Sequence, residues 1–210
     1  MLNKHRIIVA LDGIPEREAL RVAKMLKGQV WGFKVNDLLF GNIAIIRQLK
    51  NFGGVFADAK LYDILNTVAN GVNKLSRAGA DLITVHASGG IEMMKAAKQS
   101  AGKSKILAVT ILTSMKTNSK EVLRLTRDAL KANVDGVVCS GHNLLLIRRI
   151  IGSKSLLKVV PGIRPKWYKN KDDQKQTILP EKAIQWGADY LVIGRPILNS
   201  KDPLQALADL

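Results

Sequence analysis

Eight short apolar, β-branched runs recur along the chain, each followed by a longer amphipathic stretch, and this alternation limits the possible folds more than any other feature. The strand-like runs are 6–11, 30–35, 54–59, 81–86, 106–112, 135–140, 158–161 and 189–194. Helical periodicity fills 16–26, 38–50, 66–77, 91–101, 120–132, 143–151 and 180–186, with a last stretch after Pro203. Parallel strands require crossover connections, so this order predicts a parallel sheet. Eight consecutive units in 210 residues predict an α/β protein, a single-domain TIM (β/α)8 barrel over residues 1–210. A doubly wound sheet is the rival, but Leu11-Asp12-Gly13-Ile14-Pro15 after the first strand is not the Gly-x-Gly-x-x-Gly turn of dinucleotide-binding sheets.

With 47% apolar residues the chain can bury one sizeable core, and no apolar run reaches the length of a membrane span. The N-terminal run is too short for a signal peptide, so a soluble cytoplasmic protein without membrane contact is expected. Cys139, the only cysteine, excludes an intramolecular disulfide and a cysteine-based metal cluster. Its setting in Val137-Val138-Cys139 favours packing over thiol reactivity. Lys and Arg number 33 against 17 Asp and Glu, a net charge of +16 compatible with nucleic acid or with anionic substrates. The basic residues are spread over many helix faces without an aromatic-interleaved stripe or a nucleic-acid module signature, so a solvated basic surface and no nucleic-acid partner are expected.

The segment from Gly54 to Val68 carries the densest charge at a strand end, with Asp58, Lys60 and Asp63 alternating in sign. Strand periodicity places Asp58 and Lys60 on one face with Ala59 turned away, and Asp63 falls where a carboxylate can cap a following helix. Burying such charge is costly unless the groups pair or a charged ligand needs them, so the segment is either an ion-pair network or an active site.

In a barrel, the strand C-termini converge on one rim, where chemistry resides in this fold. Asp12, Lys34, Asp58, Lys60, His86, Thr113, Arg164 and the pair Gly194-Arg195 would meet there. Each has a plainer alternative: Asp12 as a turn residue, Lys34 reaching solvent, Thr113 as a cap, and, preferred for that residue, His86 as a satisfied core histidine. Gly194 permits close backbone approach to an anion, and Arg195 offers a planar fork of donors. With Pro161-Gly162-Ile163-Arg164 at the seventh strand, they occupy the usual phosphate-binding position of the fold and imply a phosphorylated substrate. Arg77 to Asp81 and Gln185 to Asp189 echo each other, with a glycine after a helix and an aspartate before a strand, which reads as structural. The charged stretch 164–177 is long for a βα loop and is expected either to cover the active face or to be a surface insertion.

Taken together, these motifs resemble the orotidine 5'-phosphate decarboxylase family of the shorter, bacterial type over nearly the full length. Asp58-x-Lys60-x-x-Asp63-Ile64 continued by Asn66-Thr67-Val68 carries the resemblance, with Val109 to Met115, Asp135 to Ser140, Pro161 to Pro165, Asp173-Gln174 and Val192 to Pro196. Two positions depart from it: Leu65 where a proline is common, and Asn36 where a small residue is usual, the latter expected to crowd or hydrogen-bond Lys34.

The resemblance implies decarboxylation of orotidine 5'-monophosphate to uridine 5'-monophosphate and CO2, the last step of de novo UMP synthesis, with no metal and no organic cofactor. It gives Lys60 the protonation of C6, sets Asp58 against the departing carboxylate, and completes the charge array with Lys34 and Asp63. It implies a homodimer in which Asp63 and Thr67 reach the partner's site. Ribose contacts fall to Asp12 and Lys34, the pyrimidine edge to Thr113, and the phosphate region to Gln174, Gly194 and Arg195, with Arg164 at the base of a closing loop. The alternative is a metal-dependent sugar-phosphate lyase or decarboxylase of the same superfamily, in which an acidic ligand is expected where this chain has Lys34.

Overall fold

A computed structural model describes residues 2–112, 118–152, 155–169 and 176–210. Its strands are β1 (Ile7–Ala10), β2 (Gly32–Val35), β3 (Gly54–Leu61), β4 (Leu82–His86), β5 (Lys105–Val109), β6 (Gly136–Val138), β7 (Leu157–Val160) and β8 (Tyr190–Ile193). Its helices are α1 (Glu16–Met25), α2 (Leu38–Gly41), α3 (Ile45–Leu49), α4 (Leu65–Ala78), α5 (Gly90–Gln99), α6 (Ser119–Lys131), α7 (Leu144–Ile151), α8 (Pro180–Gln185), α9 (Arg195–Leu198) and α10 (Pro203–Ala208). Each strand pairs in parallel with the next, and β8 returns to β1, so the sheet is a closed barrel. This is the expected α/β TIM barrel, with every expected strand present.

Strand alternation builds two cores. Ile7, Val9, Phe33, Val35, Val55, Ala57, Ile83, Val85, Ile106 and Ala108 point outward and pack under the helices. Ile8, Ala10, Phe56, Leu82, Leu107, Val159 and Val192 point inward and fill the barrel. The opposite parity is the pleat at work: neighbouring residues on one strand serve different cores. Where β2 and β3 come closest, Gly32 is paired with Gly54, and a Cβ on Gly32 would lie 1.9 Å from the Gly54 carbonyl oxygen. No side chain fits there, and the Trp31 ring fills the space beside it, tilted against Tyr190 at 5.2 Å.

The echoed turns share a tie at the N-terminal end of the barrel. The carboxylates of Asp81, Asp135 and Asp189 accept the N–H groups of Val55, Ile106 and Lys158 at 2.7, 2.8 and 2.8 Å. Each is also paired with a lysine: Lys50, Lys98 and Lys158 respectively. One carboxylate thus satisfies a strand-start donor and neutralises a cation. The structural reading of the echoes holds, and the middle turn extends it to a third copy.

Two elements differ from expectation. The stretch 38–50 is two short helices, because Asn42 is extended and its side chain accepts from Ala44 N–H at 2.9 Å, a local bond that competes with helix continuation. Gly194 is followed by the short α9, with Pro196 in its first turn.

Candidate active site

The pleat that buries Ile8 and Ala10 also turns Asp12 inward; by the same rule Lys34, Asp58 and Thr84 stand on the interior face of β2, β3 and β4. They lie one layer above Phe56 and Leu82, toward the strand C-termini. Lys34 is 7% exposed and pairs with both Asp12 and Asp58, the latter at 3.3 Å. Asp58, equally buried, also takes Lys60 at 2.7 Å on the same oxygen, Oδ2. Its other oxygen, Oδ1, accepts from the Thr84 hydroxyl at 2.9 Å.

Two lysines and two aspartates form a neutral cluster, which makes the burial tolerable. Desolvation pushes the Asp58 carboxyl up, but Lys34 and Lys60 outweigh it and hold the acid below its ordinary value. For Lys34 burial acts downward, and Asp58 with Asp12 overcomes it, so the ammonium is held above its ordinary range. Both groups are therefore charged at neutral pH. His86 is half-buried at the end of β4, against the Tyr62 ring; burial and then Lys60 draw it below its ordinary value. Cys139 is buried and its thiol is pushed up to about 12, consistent with a packing role.

The union of Asp58 and Lys60 does not come from regular alternation. Pairing of β3 with β4 is in register at Ala57 and Ile83 and resumes at Leu61 and Val85, so β3 carries two extra residues at that point. Within this bulge Lys60 has φ of 47°, a left-handed conformation costing about 1 kcal/mol for a side chain of this kind. Its N–H donates to Thr84 Oγ1 at 2.9 Å, and the Asn36 side chain donates to the Asp58 carbonyl at 2.7 Å. Asn36 therefore bonds the Asp58 carbonyl, where a bond to Lys34 was one of the expectations. It holds the bulge from the β2 side while Thr84 holds it from the β4 side.

A cleft of about 320 Å3 opens above this cluster. Asp12, Lys34, Asp58 and Lys60 line one part of it, and Gly162, Arg164, Gly194 and Arg195 another, with Phe56, Val109, Ile111, Leu112, Val138 and Val192 among the apolar wall. The volume suits a small molecule, and the polar groups converge from several strands. Ile163 and Ile178 form a bridge, with Arg164 N–H and Ile178 N–H donating across it, so the stretch 164–177 begins and ends on a fixed stalk.

Of the residues expected at the site, Asp12, Lys34, Asp58, Lys60, Arg164, Gly194 and Arg195 line the cleft. Asp63 and Thr67 do not: both are exposed, Asp63 on the connection after β3 and Thr67 in the first turn of α4. Among the described residues Asp63 accepts only the adjacent Ile64 N–H, at 2.7 Å, and it does not cap α4, whose N-cap residue is Ile64. Thr113 and Gln174 lie outside the described residues. Thr84 was not expected; its signal was a hydroxyl at the inward parity of Leu82, within the apolar run Leu82 to Val85.

A closed (β/α)8 barrel with paired buried charges and glycine–arginine strand ends at its C-terminal mouth has the architecture of a TIM-barrel enzyme. The chain belongs to the orotidine 5'-phosphate decarboxylase / HUMPS family, whose model matches residues 5–210. It is 40% identical to an orotidine 5'-phosphate decarboxylase of Dichelobacter nodosus, covering 98% of this chain and 97% of that protein. It is 41% identical to the one from Carboxydothermus hydrogenoformans, over 94% and 90%. The crystal structure of orotidine 5'-phosphate decarboxylase from Lactobacillus acidophilus superposes with a TM-score of 0.81 at 34% identity, covering 97% and 96%. That of the Pyrococcus horikoshii enzyme gives 0.80 at 28% identity, over 96% and 95%.

Proposed function

We propose that this protein is a carboxy-lyase that converts orotidine 5'-monophosphate to uridine 5'-monophosphate and CO2, the final step of de novo UMP synthesis. The observation that carries the reading is the buried Lys34–Asp58–Lys60 array at the mouth of a barrel whose family match spans residues 5–210.

Loss of CO2 from C6 of the pyrimidine leaves an electron pair that no adjacent carbonyl can delocalise directly. Fixed charge must stabilise it. Lys60, held by Asp58 at 2.7 Å and the more exposed of the two lysines of the array, 32% against 8%, is the proton source for C6. The substrate carboxylate would sit beside Asp58; two such charges about 4 Å apart repel by about 4 kcal/mol at an effective dielectric of 20. That repulsion disappears as CO2 leaves, while the attraction of Lys60 for the new carbanion grows. Asp12 and Lys34 face the ribose side, and Gly194 and Arg195, with Arg164 at the stalk, suit the 5'-phosphate. In a metal-dependent sugar-phosphate enzyme, carboxylates at the barrel mouth would hold a cation. Here Lys34 already occupies both Asp12 and Asp58, which favours the decarboxylase reading.

Asp63 and Thr67 enter this scheme through a second copy of the chain. Supporting a homodimer, Phe40, Ile43, Tyr62, Ile64 and Leu65 are exposed on the connections after the adjacent strands β2 and β3, Phe40 at 85% and Ile64 at 72%. Sedimentation equilibrium should give a dimer that Ile64→Lys dissociates; a wild-type monomer would remove Asp63 and Thr67 from the site.

Purified protein should form UMP and CO2 from orotidine 5'-monophosphate, with full turnover after exhaustive chelation. Lys60→Ala should abolish turnover in a folded protein. No UMP from the wild type, or turnover lost on chelation, would overturn the assignment.

A further inference from the structure

We infer that Thr84 is a positioning residue for the charge array: one buried hydroxyl fixes both the carboxylate of Asp58 and the backbone of Lys60. The inference rests on the proposed decarboxylation, and it adds a residue that is not itself part of the cleft lining but bonds two residues that are, Asp58 and Lys60.

Thr84 is fully buried on the interior face of β4. Its hydroxyl donates its single proton to Asp58 Oδ1 at 2.9 Å and accepts the Lys60 N–H at 2.9 Å. A hydroxyl has one proton to give, and the Lys60 N–H can only donate, so the direction of both bonds is fixed. Asp58 Oδ1 is thereby turned into the barrel wall, and Oδ2 is the oxygen left to meet Lys34 and Lys60. The second bond acts on geometry in another way. Lys60 stands at φ of 47° in a two-residue bulge, where regular pairing with β4 is interrupted. The Thr84 side chain supplies the acceptor that the interrupted ladder does not. Without it, the Lys60 N–H and Asp58 Oδ1 both lose their partners. The carboxylate can then rotate, and the backbone that aims Lys60 loses its tie on the β4 side.

Such a role separates from binding, because Gly194 and Arg195 lie on another part of the cleft, and Lys34, the neighbour of Asp58 on the ribose side, keeps its Asp12 partner. Thr84→Val keeps the shape and removes the hydroxyl. It should lower kcat by about ten- to a hundredfold, the range for losing a hydrogen bond to a charged group, with KM and the affinity for the product UMP within about twofold. Thr84→Ser, which restores the hydroxyl, should recover kcat to within about threefold of wild type. Thr84→Ala adds no bulk and reads the same quantity if the valine variant does not accumulate as folded protein. Activity is measured per folded molecule by titrating UMP-binding sites. Unchanged kcat per site in the variants lacking the hydroxyl, equal losses in kcat and UMP affinity, or a serine variant as impaired as alanine would each overturn the inference. Absence of turnover in wild type would instead refute the decarboxylase assignment, so the two failures are distinguishable.

Discussion

Replacing Asp58 by Asn removes one charge from the centre of the cluster and keeps its shape, so the change tests the electrostatics directly. Lys34 and Lys60 approach Asp58 Oδ2 to 3.3 and 2.7 Å. At an effective dielectric of 20 these contacts are worth about 5 and 6 kcal/mol before desolvation. Burial of the carboxylate offsets most of that. Asp12 remains on Lys34, and the Lys60 side chain, 32% exposed, can turn outward. Since both ammonium groups approach one oxygen, they lie within about 6 Å of each other, where their mutual repulsion is about 3 kcal/mol. We expect a net destabilisation of about 2–3 kcal/mol, below the 3–5 kcal/mol range of a fully stranded buried charge, and a Tm lower by about 5–10 °C.

The sign of the pH dependence is fixed by the same groups. Asp58 is held below its ordinary 3.8, so its contribution is present above that pH and lost as pH falls through the folded value. Lys34 is held above its ordinary 10.5, so its contribution is present below that pH and lost as pH rises through the folded value. The Tm difference between Asp58→Asn and wild type should therefore be largest between about pH 5 and 9 and shrink at both extremes. Scanning calorimetry across pH measures it, and turnover of orotidine 5'-monophosphate should fall at least about a hundredfold. A variant as stable as wild type at pH 7, or a difference independent of pH, would refute the electrostatic account.

Three further outcomes follow from the geometry. Arg195→Ala should lower kcat/KM for the phosphorylated substrate far more than for the bare nucleoside, and equal losses would argue against a phosphate role. His86 is held below its ordinary 6.5, so the unfolded chain takes up the proton first and stability falls as pH drops below 6.5; His86→Asn should remove that part of the slope in urea titrations, and an unchanged slope would refute it. Gly32→Ala would place a methyl 1.9 Å from the Gly54 carbonyl oxygen, so the variant should not reach the soluble folded state, and a Tm near wild type would show that β2 and β3 can separate freely.

The identity of the barrel and much of its rim can be read from particular residues. Ile8 and Ala10 set an inward parity that reaches Asp12, and Phe56 sets one that reaches Asp58, so period-2 spacing carries these side chains to one mouth. The echo at Asp81 and Asp189 was readable as a pattern, but the N–H groups it serves, on Val55 and Lys158, stand on the preceding strands 26 and 31 residues away. Asn36 was readable as a polar residue on the Lys34 strand, but not its partner: that depends on where the bulged carbonyl of Asp58 ends up.

By itself, then, the chain determined eight strands in order and the side of the barrel that bears charge, with Lys34 and Asp58 at its centre, because these follow from periodicities that operate within a few residues. What the tertiary structure decided is how those charges meet. The two-residue bulge, the left-handed Lys60 and the Thr84 hydroxyl on both Asp58 and Lys60 all arise from pairing between β3 and β4, strands whose register no local pattern prints. A bulge is a mismatch between two segments more than twenty residues apart, and only closing the barrel brings them together.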